Sequence, residues 1–209
     1  HAWFSALTAE QQVAVEAQVF TTTAQRGAVV LPANERTQGW YGVMRGLVKI
    51  SGRATAGRRS DFLGVAQGEW FGEGAVLKNE LRRYEVVALR DTELLCLPSD
   101  VFHRLHASSL AFNQSVVACL NLRLSQAMAM IEAGRTRSPE QRIALSLSRL
   151  FWSRTRQLDL TQDELASLAG MSRQTANRVL NALQEQGVIA LATNRIKVLD
   201  DTALAKLLE

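Results

Sequence analysis

The chain is poor in the residues that carry covalent and metal chemistry. Its 209 residues hold two cysteines and three histidines. Cys96 and Cys119 are far apart and sit among apolar neighbours. They read as buried free thiols of a reducing compartment, and two thiols cannot supply the four thiolates of an iron–sulfur cluster within one chain. His103 and His106 stand at i, i+3 without a carboxylate or thiolate pattern around them, so no metal site is expected. The β-rich runs between Ala28 and Leu97 contain no histidine, which argues against a cupin-type metal enzyme. No nucleophile–base arrangement stands out, and the chain is not read as an enzyme. No uninterrupted apolar run approaches the length of a membrane span, and the opening residues show no secretory pattern. A cytoplasmic protein without a membrane partner is expected.

What is present is an ordinary globular balance, 47% hydrophobic and 21% charged. The formal net charge is +4. Residues 1–134 hold 13 Lys/Arg and 12 Asp/Glu, whereas residues 135–209 hold 11 and 8. The basic excess therefore lies mainly in the C-terminal third, which agrees with an anionic partner there.

That third contains Leu160-Thr-Gln-Asp-Glu-Leu-Ala-Ser-Leu-Ala-Gly170-Met-Ser-Arg-Gln-Thr-Ala-Asn-Arg-Val-Leu180, which predicts two short helices around a tight turn. Thr161 and Glu164 have the spacing of a capping box. Leu165, Leu168 and Ala169 give the first helix one apolar face. Gly170 permits the left-handed backbone that ends it, and Ser172 is a good N-cap for the second. In the second helix Ala176, Val179, Leu180 and Leu183 recur at helical spacing and point inward, with Gly187 as the stop. Arg173, Gln174, Asn177 and Arg178 are left on the outer face. An arginine fork can donate two hydrogen bonds to guanine O6 and N7, and Gln or Asn can pair with adenine N6 and N7. A helix of this size fits the major groove of DNA. Thr161, Ser172 and Thr175 place hydroxyls near helix starts, where phosphates bind well. A plain solvated face accounts for one polar helix, but not for the caps, the turn glycine and this face occurring together.

After Gly187, two β-rich runs flank Thr193-Asn194 and predict a hairpin. A hairpin behind such a motif is a wing, with Arg195 and Lys197 either near the phosphate backbone or serving equally as solubilising strand charges. Upstream, residues 7–18 predict a short amphipathic helix with Thr8 as N-cap. From about Gln25 to Leu97, short runs (Ala28–Leu31, Tyr41–Ile50, Phe62–Val65, Tyr84–Ala88, Leu94–Leu97) alternate with glycine-containing turns, Gly57 among them. This spacing suggests a β-barrel or jelly roll. Pro98-Ser99-Asp100 caps a short helix around Val101–Leu105. A long helix from about Leu110 to Ala133 carries Val116, Leu120, Leu124, Ala127 and Ile131 at three- and four-residue steps. That seam can join two subunits or pack on its own β domain. Gly134–Ser138 reads as a linker, and Ser138-Pro139 starts another helix that runs to about Trp152.

This order of parts resembles the Crp/Fnr superfamily of bacterial transcription regulators, over nearly the whole chain. Its sharpest points are Gly68-Glu-Trp-Phe-Gly-Glu73, the Arg82-Arg83 pair, Gln141-Arg-Ile-Ala144 and Ser172-Arg-Gln-Thr-Ala-Asn-Arg178. The resemblance implies an α+β chain of three parts: a cyclic-nucleotide-binding-like β-roll over 1–109, a dimerisation helix and hinge over 110–137, and a winged helix-turn-helix over 138–209. It implies a homodimer that binds an inverted-repeat DNA site through the helix 173–186, with RNA polymerase as a further partner. Arg173, Gln174 and Arg178 match the base-reading positions, although the family often has Glu where Gln174 stands. In cyclic-nucleotide-binding members a Gly-Glu pair and an Arg-Ser pair form the phosphate and ribose pocket. Gly72 and Glu73 match the first pair and Arg82 the phosphate-holding arginine. Arg83 stands where a small Ser is usual, followed by bulky Tyr84 and Glu85. A long cation there changes volume and charge, which argues against cyclic AMP. Another anionic effector, a different cyclic nucleotide, an empty pocket, or an arginine pair bridged to its neighbours remain. The family's haem sensors need an axial ligand, a role no residue here demands. The alternative function is a small-molecule binding module whose helix-turn-helix mediates protein contact.

Overall fold

The computed structural model describes residues 2–52 and 60–209; Gly57, expected in a turn, lies outside them. In chain order the elements are α1 (Ala2–Ser5), α2 (Ala9–Glu16), β1 (Phe20–Ala24), β2 (Val29–Leu31), β3 (Gly39–Arg45), β4 (Leu47–Ser51), β5 (Asp61–Ala66), β6 (Trp70–Phe71), α3 (Glu73–Lys78), β7 (Glu85–Ala88), β8 (Thr92–Pro98), α4 (Ser99–Ser108), α5 (Leu110–Thr136), α6 (Pro139–Leu147), β9 (Gln157–Leu158), α7 (Gln162–Leu168), α8 (Arg173–Glu185), β10 (Ile189–Ala192), β11 (Arg195–Val198) and α9 (Asp201–Lys206). The chain divides into two compact units, His1–Arg59 with Val65–Leu124 and Ser60–Gly64 with Ser125–Glu209.

Two four-stranded sheets, ordered β1-β8-β3-β6 and β2-β7-β4-β5, build the β-roll. The expected run Tyr41–Ile50 is broken into β3 and β4 by Gly46, whose φ is 91°. A Cβ at that position would lie 2.5 Å from Asp91 O, so the strand can reverse only where no side chain exists. The Phe20-Thr-Thr-Thr-Ala24 stretch, not expected as a strand, pairs along β8 from Phe20↔Cys96 to Ala24↔Thr92. The helix α2 opens on a full capping box between Thr8 and Gln11.

Aromatic rings fill the first unit's core. Trp3, Trp40, Trp70, Phe102 and Phe112 are all buried. The Trp40 and Trp70 centroids are 4.7 Å apart, and those of Phe102 and Phe112 are 5.2 Å apart at 77°, the edge-on arrangement that ring quadrupoles favour. Cys96 is buried and Cys119 half-buried, and both are free thiols.

Three helix boundaries differ from those expected. α4 starts at Ser99 with Pro98 as N-cap and no side-chain cap, because proline carries no side-chain acceptor; the Ser99 hydroxyl, one residue inside the helix, donates to Thr37 O at 3.4 Å. α5 continues through Gly134 to Thr136, so only Arg137 and Ser138 of the expected linker lie between α5 and α6. α6 ends at Leu147 rather than near Trp152. Ser148 turns extended, with ψ 165°; its carbonyl accepts from the Phe151 and Trp152 amides at 3.1 Å each, and Trp152 Nε1 donates to Ser146 O at 2.7 Å.

The long helix has two apolar faces. Phe112 and Val116 are buried in the first unit's core. Leu110, Val117, Leu120, Leu124, Met128 and Ile131 are exposed. Val116, placed in the seam by its spacing to Leu120, therefore belongs to the core, and Val117 replaces it. The exposed residues step by seven from 110 to 131, with 120 and 128 between, which is a heptad seam. By length and mean hydropathy α5 is also long and apolar enough to cross a membrane. A search for uninterrupted runs misses this because Asn113, Gln114, Asn121 and Arg123 break the apolar sequence. Arg123 donates to Trp70 O at 2.9 Å, so this part of the helix is a packed element of the β-roll.

The second unit buries Ile143, Ala144 and Leu147 of α6 with Leu165 and Ala166 of α7 and Ala176, Val179, Leu180 and Leu183 of α8. A three-stranded sheet, ordered β10-β11-β9, follows α8. The Phe112→Ala chain is expected to lose about 3–5 kcal/mol of stability in the first unit, the usual cost of an emptied aromatic core position. Denaturant unfolding followed by tryptophan fluorescence measures it, because Trp3 and Trp40 pack directly on that ring.

Candidate DNA-binding surface and effector pocket

The helix-turn-helix begins with Thr161, whose hydroxyl accepts from the Glu164 amide at 3.0 Å while its own amide donates to Glu164 Oε2 at 2.7 Å. This reciprocal pair satisfies two free donors at the start of α7. The Thr161 hydroxyl hydrogen is not used by that bond and remains able to donate to a phosphate. At the other end Gly170 has φ 66°. Gly170 N donates to Ser167 O at 3.1 Å and Met171 N to Ala166 O at 3.0 Å, the double closure of a Schellman turn. The Arg142 guanidinium adds bonds from Nη2 to Ala169 O at 2.7 Å and to Gly170 O at 2.6 Å. A Cβ on residue 170 would sit 2.8 Å from that nitrogen. Glycine is favoured there by its left-handed backbone, and a side chain would also oblige the tip of Arg142 to shift.

Ser172 caps α8, its hydroxyl accepting from the Thr175 amide at 3.1 Å and lying 2.9 Å from Thr175 Oγ1. Four buried side chains hold one face of α8 against the unit's core. Arg173, Gln174 and Arg178 form the exposed edge. Asn177 stands apart from them: it is half-buried, and its Oδ1 is enclosed without a hydrogen-bond partner. Arg173 Nε lies 2.9 Å from Asp163 Oδ1 of α7. The wing is a two-residue hairpin with Ala192 opposite Arg195 and Asn194 at φ 57°. Arg195 pairs with Asp159 at 3.0 Å, and Lys197 is exposed. Thr161, Gln162, Asp163 and Arg173 share a groove of about 390 Å³ with Ala192, Thr193 and Asn194 of the wing.

In the first unit Gly72, at φ 96°, leads into α3. Glu73 is 5% exposed, and its Oε2 is buried without a hydrogen-bond partner. Arg82 is also buried. Its Nη1 donates to Pro32 O at 2.8 Å, and its backbone is held by Glu35 O at 2.9 Å and the Asn34 amide at 2.7 Å. Arg83 does not join them. Its side chain is 80% exposed and pairs with Glu80 at 3.3 Å. Of the four residues expected at the effector site, Glu73 and Arg82 are buried, whereas the Arg83 side chain lies on the surface.

Three further groups surround Glu73 that the sequence did not single out as site residues. Burial, and then the charge of Glu73, push the Tyr84 phenol up to about 12. The same two causes push the Cys119 thiol to about 12, which keeps it protonated and unreactive. Arg123 acts on both groups from α5. Its position as a cation in the middle of an otherwise apolar stretch of α5 was the available signal.

Comparisons with known proteins agree with this geometry. Residues 21–109 match the cyclic nucleotide-binding domain, and residues 141–207 match the Crp-like helix-turn-helix domain. The chain is 29% identical over 183 residues to a cyclic AMP receptor protein of Thermus thermophilus, covering 87% of this chain and 85% of that one. A solved CRP/FNR-family transcriptional regulator from Thermus thermophilus is 26% identical, with a TM-score of 0.67 over 90% of this chain and 98% of that one. FixK2 from Bradyrhizobium japonicum shares the fold, with a TM-score of 0.77, 18% identity and coverage of 90% and 96%. A match to the cyclic nucleotide-binding domain followed by one to the Crp-like helix-turn-helix in one chain leaves one assignment: the protein belongs to the Crp/Fnr superfamily of transcription regulators.

Proposed function

We propose that the protein works as a homodimer that reads an inverted-repeat DNA site through α8. The observation that carries this reading is the edge formed by Arg173, Gln174 and Arg178, exposed on a helix capped at Ser172 and buried on its opposite face. Two such helices one turn of DNA apart, roughly 34 Å, would enter successive major grooves. Thr161, Ser172 and Thr175 would meet phosphates beside them, whereas Asn177, half-buried, would reach a base only after a side-chain rearrangement.

The exposed seam of α5 supports the dimer, its occupant being the same seam of a second copy. In this reading 1–109 senses, 110–137 pairs and hinges, and 138–209 binds DNA. The effector site would be built on Glu73 and Arg82. The unpartnered Glu73 Oε2 fits a hydroxyl donor such as a ribose, and Arg82 fits an anion once it leaves Pro32 O. A small anionic effector or a cyclic nucleotide satisfies both, and the Thermus relative is named for cyclic AMP. Such a ligand would act by its different affinity for two states of the dimer. On the family resemblance we propose RNA polymerase as a partner, a regulatory rather than enzymatic role, and the cytoplasm as its setting.

Arg178→Ala is expected to weaken binding to the best duplex by about 1–3 kcal/mol and to relax one base preference. A gel-shift titration measures this, and an equal loss on random duplex counts against base reading. Raising the salt should reduce affinity steeply, as counterion release requires. Leu124→Glu is expected to leave the helical circular dichroism intact and turn the dimer into a monomer in sedimentation. A persistent dimer would remove α5 as the seam.

A further inference from the structure

Asp163 has no assigned part in DNA binding, yet it stands on the surface where DNA would lie. It shares the groove with Thr161, Arg173 and the wing residues Thr193 and Asn194. A carboxylate beside the phosphate backbone repels it, so its presence lowers affinity for any duplex. Its geometry supplies a reason for being there. Asp163 Oδ1 is 2.9 Å from Arg173 Nε, with the aspartate side chain 52% and the arginine 73% exposed. A guanidinium paired to a carboxylate through Nε can still offer its two terminal nitrogens as the fork that fits guanine O6 and N7.

From this pair we infer that Asp163 is a positioning residue for base readout: it holds Arg173 by Nε so that the terminal fork faces a guanine edge. The inference rests on the DNA-binding role of α8 proposed above. In water an exposed pair of this kind contributes little. Against DNA, with water excluded, the same ion pair is screened less, and the arginine has less rotamer freedom to lose. The carboxylate also penalises the alternative in which Arg173 swings to a phosphate. Asp163 would thus trade total affinity for discrimination at one base pair.

The test uses the full chain. Wild-type protein selects its best site from a randomised duplex pool, and anisotropy titrations at fixed salt follow. Loss of a preference in Arg173→Ala identifies the base pair that Arg173 reads. Asp163→Asn is expected to bind random duplex about 3- to 10-fold more tightly, since one repulsive charge is gone. Its discrimination at the Arg173 base pair should fall about 5- to 10-fold, within the range of one bidentate contact, and stay unchanged at the Arg178 base pair. Asp163→Glu keeps the charge but moves the carboxylate by one methylene. It should lose discrimination without gaining affinity for random duplex. If Asp163→Asn gains equally on best, altered and random duplexes while Asp163→Glu matches wild type, the carboxylate only repels phosphate and the inference falls. If wild-type protein enriches no sequence at all, the DNA-reading role of α8 falls first.

Discussion

A helix can read base edges only if the turn behind it does not yield, and here the turn at Gly170 is closed from three sides. The backbone closes it through Gly170 N to Ser167 O and Met171 N to Ala166 O. Arg142 closes it from α6 by bonding the two carbonyls that the end of α7 leaves free. The caps at Thr161 and Ser172 fix the helix starts on either side. The buried face of α8 then has one seat, and its outer edge one direction. Every functional statement about Arg173, Gln174 and Arg178 depends on that turn.

The β-roll follows a different logic. Its core is held by ring contacts among residues distant in sequence, from Trp3 to Phe112. α5 contributes to that core with one face and leaves a heptad of apolar residues exposed on another. Contiguous exposed apolar residues of this extent call for a partner surface. Cys119 and Arg123 of the same helix both reach Trp70 O, three residues before Glu73. One helix therefore touches the candidate effector site and carries the candidate dimer seam.

The features legible in the sequence were those set by residues close together in the chain. The Thr161–Glu164 box, the Ser172 cap, the turn at Gly170 and the four inward residues of α8 are local, and each follows from side-chain chemistry at fixed spacing. The illegible features needed distant partners. β1 reads as a polar Phe-Thr-Thr-Thr stretch and becomes a strand only because β8 lies beside it. Val116 and Val117 are adjacent and equally apolar, and only the position of the core decides which is buried. Arg82 and Arg83 are chemically identical; Pro32 O and Glu80 send one inward and the other outward. Asp163 reads as an ordinary first-turn acid, and its ion pair with Arg173 appears only when the two helices fold together.

In the proposed complex the α8 edge enters the major groove. Chemical protection of the selected duplex by the full chain tests it most directly, because guanine N7 faces the major groove and adenine N3 the minor groove. The result expected is N7 protection at two patches about one helical turn apart, lost at one base pair per patch in Arg178→Ala. Protection confined to adenine N3, or a footprint with no N7 protection at all, would contradict it.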